Sequence, residues 1–282
     1  MSNTNQITTL SDFHVHTAYC GHAQGEIRQY IEKAIERGIR ELGFADHLGR
    51  YYLSRSQKKK NWNWGMRDEN IEKYFEEVSA LREIYKERID IYIGLEVDYI
   101  EGAESRAEEI LTSLPFDYAL ASIHCLPKFG WKHLAQYASL DRGAIYTEYF
   151  KAAKAALSCG LFQSLAHIDF IWRYIPFPDD FDLVLAGIDE TVKVAQQSTT
   201  ALEINSNGFF WSKENKPFHD PFEFFLELVA SRGLTVTLGS DAHEPDNVAL
   251  GFDQIIPYLH NKNIYKRLVL QKNSFELCPT GL

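Results

Sequence analysis

Short apolar runs that end in a histidine or a carboxylate recur along this chain, and one amphipathic helical stretch separates each from the next. His14 and His16 close the first run, in Asp12-Phe-His-Val-His-Thr, and His22 follows in Cys20-Gly-His-Ala. His47 closes the second run in Ala45-Asp-His, Glu96 the third in Gly94-Leu-Glu-Val-Asp, and His124 the fourth in Ser122-Ile-His. His167 ends the fifth in Ala166-His-Ile-Asp, Asn205 the sixth in Glu203-Ile-Asn, and Asp241 with His243 the seventh in Gly239-Ser-Asp-Ala-His. A strand followed by a helix, repeated, is the unit of a parallel sheet. An open doubly wound sheet shares that alternation but places its site at a single switch point. Seven strands that all deliver polar residues at their C-terminal ends favour a closed barrel, which gathers those ends at one mouth.

Periodicity places strands at 7–13, 41–45, 90–95, 117–123, 162–166, 201–204 and 234–238. Helices are expected at 26–37, 68–87, 103–113, 146–158, 181–196, 221–231 and 245–259. Together they make a single α/β domain over 1–282, whose seven strand-helix repeats suggest a barrel of ordinary size. Two long connections interrupt the repeat. Residues 49–67 carry Lys58-Lys-Lys and Asn61-Trp-Asn-Trp; residues 126–142 carry Lys128, Trp131, Lys132 and His133. Loops on that side of a barrel are lids and specificity walls in some proteins and solvated connections in others.

Composition narrows the partners. With 45% hydrophobic and 24% charged residues the chain can bury a core. A net charge of −10 argues against general nucleic-acid binding, which needs basic surface. No apolar run approaches the roughly 18 residues that span a bilayer, and Met-Ser-Asn-Thr-Asn-Gln lacks the features of a secretion signal. A cytoplasmic location is the expectation. Cys20, Cys125, Cys159 and Cys278 are widely spaced and read as reduced thiols, with Cys20 and Cys125 beside ligand histidines.

Neutral imidazole and carboxylate ligate zinc, iron and manganese. The nine candidates are His14, His16, His22, His47, Glu96, His124, His167, Asp241 and His243, too many for one tetrahedral ion. Taken singly, His124 or His167 reads as a hydrogen-bonded core histidine, Asp241 as a helix cap and Glu96 as the partner of a buried arginine. Their joint placement at strand ends argues instead for a site with several ions. Three divalent ions against two carboxylates and one hydroxide would leave the mouth at about +3, attractive to a phosphate dianion. Such a site lowers the pKa of water and neutralises a leaving oxygen, and phosphate-ester hydrolysis gains most from both.

Through these motifs the chain resembles the polymerase and histidinol phosphatase (PHP) superfamily, and within it the histidinol-phosphate phosphatases. The resemblance implies a distorted (β/α)7 barrel with a trinuclear centre of zinc, iron or manganese. By position, His14, His16, Glu96 and Asp241 would hold one ion, Glu96, His124 and His167 a second, and His22, His47 and His243 a third. Glu96 and Asp241 would act through a hydroxide that bridges the first two ions. Asp12, Asp46 and Asp169 flank ligand histidines and are candidates to hydrogen-bond the imidazoles. Arg173 sits where similar phosphatases carry basic residues and is the leading phosphate contact, with Lys128 a second candidate. Asn205-Ser-Asn-Gly departs from the pattern, being followed by Phe209, Phe210 and Trp211 where a basic residue is usual.

The expected activity is therefore metal-dependent hydrolysis of a phosphomonoester, L-histidinol phosphate foremost. Another small phosphate ester or a phosphodiester is the enzymatic alternative, and a non-catalytic metal-binding module the third reading. The sequence leaves oligomeric state and metal identity open.

Overall fold

In a computed structural model the described residues are 10–60, 65–130, 132–137, 140–214 and 220–264. Residues 7–9 of the expected first strand, Trp62, Trp64, Trp131 and Cys278 lie outside them. Seven strands form one all-parallel sheet in the order β1 to β7. They are β1 (Ser11–Val15), β2 (Glu41–Leu48), β3 (Asp90–Asp98), β4 (Tyr118–Ser122), β5 (Ser164–Leu165), β6 (Ala201–Asn205) and β7 (Val236–Gly239). The helices are α1 (Ile27–Glu36), α2 (Arg55–Lys60), α3 (Ile71–Tyr85), α4 (Glu104–Leu111), α5 (Arg142–Ser158), α6 (Phe170–Tyr174), α7 (Asp182–Gln197), α8 (Ser206–Glu214), α9 (Pro221–Arg232) and α10 (Phe252–Asn261). None of them is long and apolar enough to cross a membrane.

The ring closes between its first and last strands. Val15 bridges Ala242 in parallel, and the His16 amide donates to the Ala242 carbonyl at 2.9 Å. Below that bridge the buried Asp12 carboxylate accepts from the Ser240 amide at 3.0 Å, the Ser240 hydroxyl at 2.6 Å and the Ala249 amide at 2.8 Å. These bonds stitch β1 to the end of β7. β1 also carries a register shift between Asp12 and Val15, one source of the barrel's distortion.

Alternation along the strands sorts the interior into layers. Phe13, Ala45, Tyr92, Tyr118, Leu120 and Ala166 pack as a separate apolar cluster. Tyr118 fills the space left by Gly94: a Cβ there would lie 2.5 Å from its ring. Two, four or six residues onward on the same strand faces come His47, Glu96, Asp98 and His124. The apolar floor thus sets which side chains reach the mouth.

The outer layer departs from expectation in several places, the short helices α2 and α6 among them. Residues 206–214, where no helix was expected, form α8, and Phe209 packs on Phe222 and Tyr258 beneath Lys213. The aromatic trio is therefore helix packing in this layer. The single helix expected at 245–259 is instead a short turn, Pro245–Asn247, followed by α10. Left-handed backbone at Ala249 (φ 52°) and Gly251 (φ 78°) breaks the path between them.

Candidate metal centre

Glu96 is the hub. Its buried carboxylate lies 2.5 Å from His47 Nδ1, 2.9 Å from His167 Nε2, 3.4 Å from Nε2 of both His14 and His124, and 3.6 Å from His16 Nε2. Asp241 faces it across the mouth, 3.2 Å from His16 Nε2 and 3.7 Å from His14 Nε2. The His16 ring stacks between those of His47 and His243, each at 4.2 Å. His22 closes the solvent side, its ring 4.5 Å from His243 and 5.1 Å from His47. All nine ligand candidates named from the sequence therefore meet in one cluster.

The donors fit cations better than they fit one another. His14 Nε2, His16 Nδ1 and His243 Nε2 are buried without a hydrogen-bond partner. Buried polar atoms are rarely left so, and a divalent ion satisfies acceptor lone pairs that no proton can share. Three groupings each bring three donor atoms within 4.8 Å: His14 with His16 and Glu96, His47 with Glu96 and His124, and His16 with His47 and His243. Two more include Cys20, one with His22 and His243 and one with His16 and Asp46, but burial pushes the Cys20 thiol up to about 12, which disfavours the thiolate.

Charge is divided within the cluster. Burial opposes ionisation of Glu96, yet His47, His124 and His14 hold it well below the usual carboxylate range. Burial likewise opposes charge on His14, but Glu203, Glu96 and Asp241 raise it well above an ordinary imidazole. Burial and the neighbouring His243 and His47 depress His16, and burial with His47 brings His22 to about 4. Two ligand positions also have left-handed backbone, His167 (φ 23°) and Asp241 (φ 54°). Non-glycine residues adopt such angles uncommonly.

The groups behind the imidazoles differ from those expected. His14 Nδ1 shares a hydrogen with Glu203 Oε1 at 2.7 Å, and His124 Nδ1 with Asp98 Oδ1 at 2.7 Å. Asp12 instead binds the closure bonds, Asp46 accepts from the Thr17 amide and hydroxyl, and Asp169 holds Arg173. The signal for Glu203 and Asp98 was present: each lies two residues from Asn205 or Glu96 and so shares its strand face. Gly239 makes room for Glu203, since a Cβ there would lie 2.2 Å from its carboxylate.

Arg173, on α6, stands beside the cluster. Its Nε donates to Asp169 at 2.6 Å and its Nη2 to Asn205 Oδ1 at 3.1 Å. Burial opposes its charge, but Asp169 and Asp241 more than offset this. Lys128 is not brought to the cluster: its ammonium pairs with Glu148 at 2.5 Å and is 60% exposed. The loop at 49–67 seats Tyr51 and Tyr52 on Asp98, the residue behind His124.

Fold and site together define a parallel barrel with a histidine–carboxylate cluster suited to several cations at the C-terminal ends of its strands. The PHP domain family matches residues 12–207, and the chain belongs to it. A protein of Deinococcus radiodurans named "Probable histidinol-phosphatase" is 31% identical over 251 residues, 87% of this chain and 91% of that one. The histidinol-phosphatase of Bacillus subtilis is 23% identical over 271 residues, 87% and 97% of the two chains. Among solved structures, a histidinol phosphate phosphatase of Lactococcus lactis complexed with zinc, L-histidinol and phosphate matches with a TM-score of 0.75. It is 22% identical and covers 94% of this chain and 97% of its own, and the likeness is one of fold.

Proposed function

We propose that the protein is a metal-dependent phosphomonoesterase whose substrate is L-histidinol phosphate. The observation that carries this reading is the gathering of seven histidines with Glu96 and Asp241 in one cluster, with Arg173 alongside. The names of the relatives it resembles over most of its length support the substrate.

In this reading His14, His16, Glu96 and Asp241 hold one ion, Glu96, His124 and His167 a second, and His22, His47 and His243 a third, drawn from zinc, iron or manganese. Bound there, the ions would activate water and neutralise charge on the phosphoryl group. The chain's own residues do the rest. Glu203 and Asp98 fix the ring orientations of His14 and His124 through their Nδ1 atoms. Asp169 and Asn205 lock the Arg173 guanidinium, so that little side-chain freedom is lost when it meets phosphate. The 1–282 chain works as one barrel domain on a small phosphorylated substrate, without nucleic acid or membrane, in the cytoplasm.

Metal-loaded protein should hydrolyse histidinol phosphate with a kcat/KM roughly 10²-fold above that for a generic aryl phosphate. Equal rates would remove histidinol phosphate and leave a broader phosphatase; protein that binds two or more ions but turns nothing over would be a non-catalytic module. Arg173→Ala should raise KM by about 10- to 100-fold with kcat little changed, the scale of one charged hydrogen bond. An unaltered KM would free Arg173 from phosphate binding. Glu203→Gln should cost about 10- to 100-fold in metal affinity, read by elemental analysis after dialysis against graded chelator. Full retention of metal would reduce Glu203 to a packing role.

A further inference from the structure

Beyond β4 the chain leaves the barrel and returns at once. Cys125 and His133 form an antiparallel bridge, and the Leu134 amide donates to the His124 carbonyl at 2.8 Å. His133 is thereby fixed beside a residue of the metal centre although it belongs to a loop. Its Nδ1 accepts from the Ala135 amide at 3.1 Å, so the neutral ring carries its hydrogen on Nε2.

Around it lies an aromatic strip that leads out of the mouth. Phe170 stands edge-on to His124 at 4.6 Å and to His133 at 5.4 Å. Tyr174 packs on Phe170 at 4.9 Å and edge-on to His133 at 5.1 Å, and is 42% exposed. The Arg173 guanidinium lies 5.9 Å from the Phe170 ring. A phosphate held between Arg173 and the cluster would therefore have its ester group over a surface of rings with one half-buried N–H donor. Stacking on aromatic faces and a donated hydrogen bond together suit a planar ring that bears an acceptor nitrogen.

We propose that His133 is a specificity-determining residue, its Nε2–H donating to a nitrogen heteroaromatic leaving group laid against Phe170 and Tyr174. This deepens the phosphatase reading above and rests on it. The imidazole of histidinol phosphate belongs to the class such a subsite accepts.

The test compares three esters on metal-loaded protein: histidinol phosphate, 2-(pyridin-2-yl)ethyl phosphate and ethyl phosphate. His133→Phe, which keeps a ring and loses the donor, should raise KM for both ring esters about tenfold with kcat unchanged. Its kcat/KM for ethyl phosphate should equal that of the wild type. His133→Gln, which restores an N–H donor, should recover most of the lost KM. A loss shared equally by all three esters, or no change in any, would overturn the subsite. Wild-type protein that hydrolyses the pyridyl ester but not histidinol phosphate would overturn only the substrate named above. The KM comparison on the pyridyl ester would then decide the subsite alone.

Discussion

Glu96→Gln is expected to abolish phosphate release, by roughly 10³-fold or more, while leaving the fold intact. The substitution keeps volume and shape, so the barrel interior loses no packing. It removes the negative charge on which His14, His16, His47, His124 and His167 converge. An amide offers one neutral oxygen where the carboxylate offers two anionic ones, and its NH₂ group would aim a donor at the imidazole lone pairs that a cation would otherwise take. Removing a single preorganised electrostatic group costs about 10² to 10³ in kcat even where no ion is lost, and here ion affinity falls as well. Elemental analysis alongside a phosphate-release assay reads both effects. Unchanged metal content together with more than a tenth of wild-type activity would dismiss Glu96 as the hub.

Chelation should have the second-largest effect, and its signature reaches beyond activity. At neutral pH the metal-free cluster holds protons that ligation must expel, because His14 and His47 are raised above the ordinary imidazole value. Metal binding should therefore release protons, seen as a calorimetric enthalpy that varies with the ionisation enthalpy of the buffer. No buffer dependence at pH 7 would contradict the charge pattern. In the metal-free protein the two kinds of histidine pull stability in opposite directions. The raised pair stabilises the fold fully below the unfolded pKa near 6.5, and that contribution is lost as pH rises through the folded values. His22, lowered to about 4, does the reverse: between about 4 and 6.5 the unfolded chain binds that proton better, so stability climbs with pH there. Free metal at about 1,000 times its dissociation constant contributes about 4 kcal/mol. Stripping it should lower the thermal midpoint by roughly 10 °C, at about 2–4 °C per kcal/mol for a chain of this size.

The ligands were legible because two regularities overlap at them. Side chains two apart on a strand share a face, and parallel strands end on one side of a barrel. His14 with His16, Glu96 and His124 each obey both. The same parity pointed at Asp98 and Glu203, but their importance depends on a neighbour across the ring. One sequence does not show that Glu203 on β6 meets His14 on β1. Asp12 and Asp169 lie two residues from His14 and His167 and Asp46 beside His47, but each carboxylate finds other partners, Asp46 staying 3.8 Å from His16 Nδ1. Their carboxylates tie β1 to β7, hold Thr17 and anchor Arg173. The break at Ala249 and Gly251 escaped periodicity, since both flanking segments keep a helical pattern while the backbone between them turns left-handed. Lys128 failed for an ordinary reason: a long flexible side chain found Glu148 on the surface first.

The left-handed angles at His167 and Asp241 carry a cost of about 1–3 kcal/mol each, sustained only while their surroundings hold firm. Gentle warming should thus let the rim relax into easier conformations before the staves of the barrel come apart, so that turnover fades at temperatures where circular dichroism still reads a native protein.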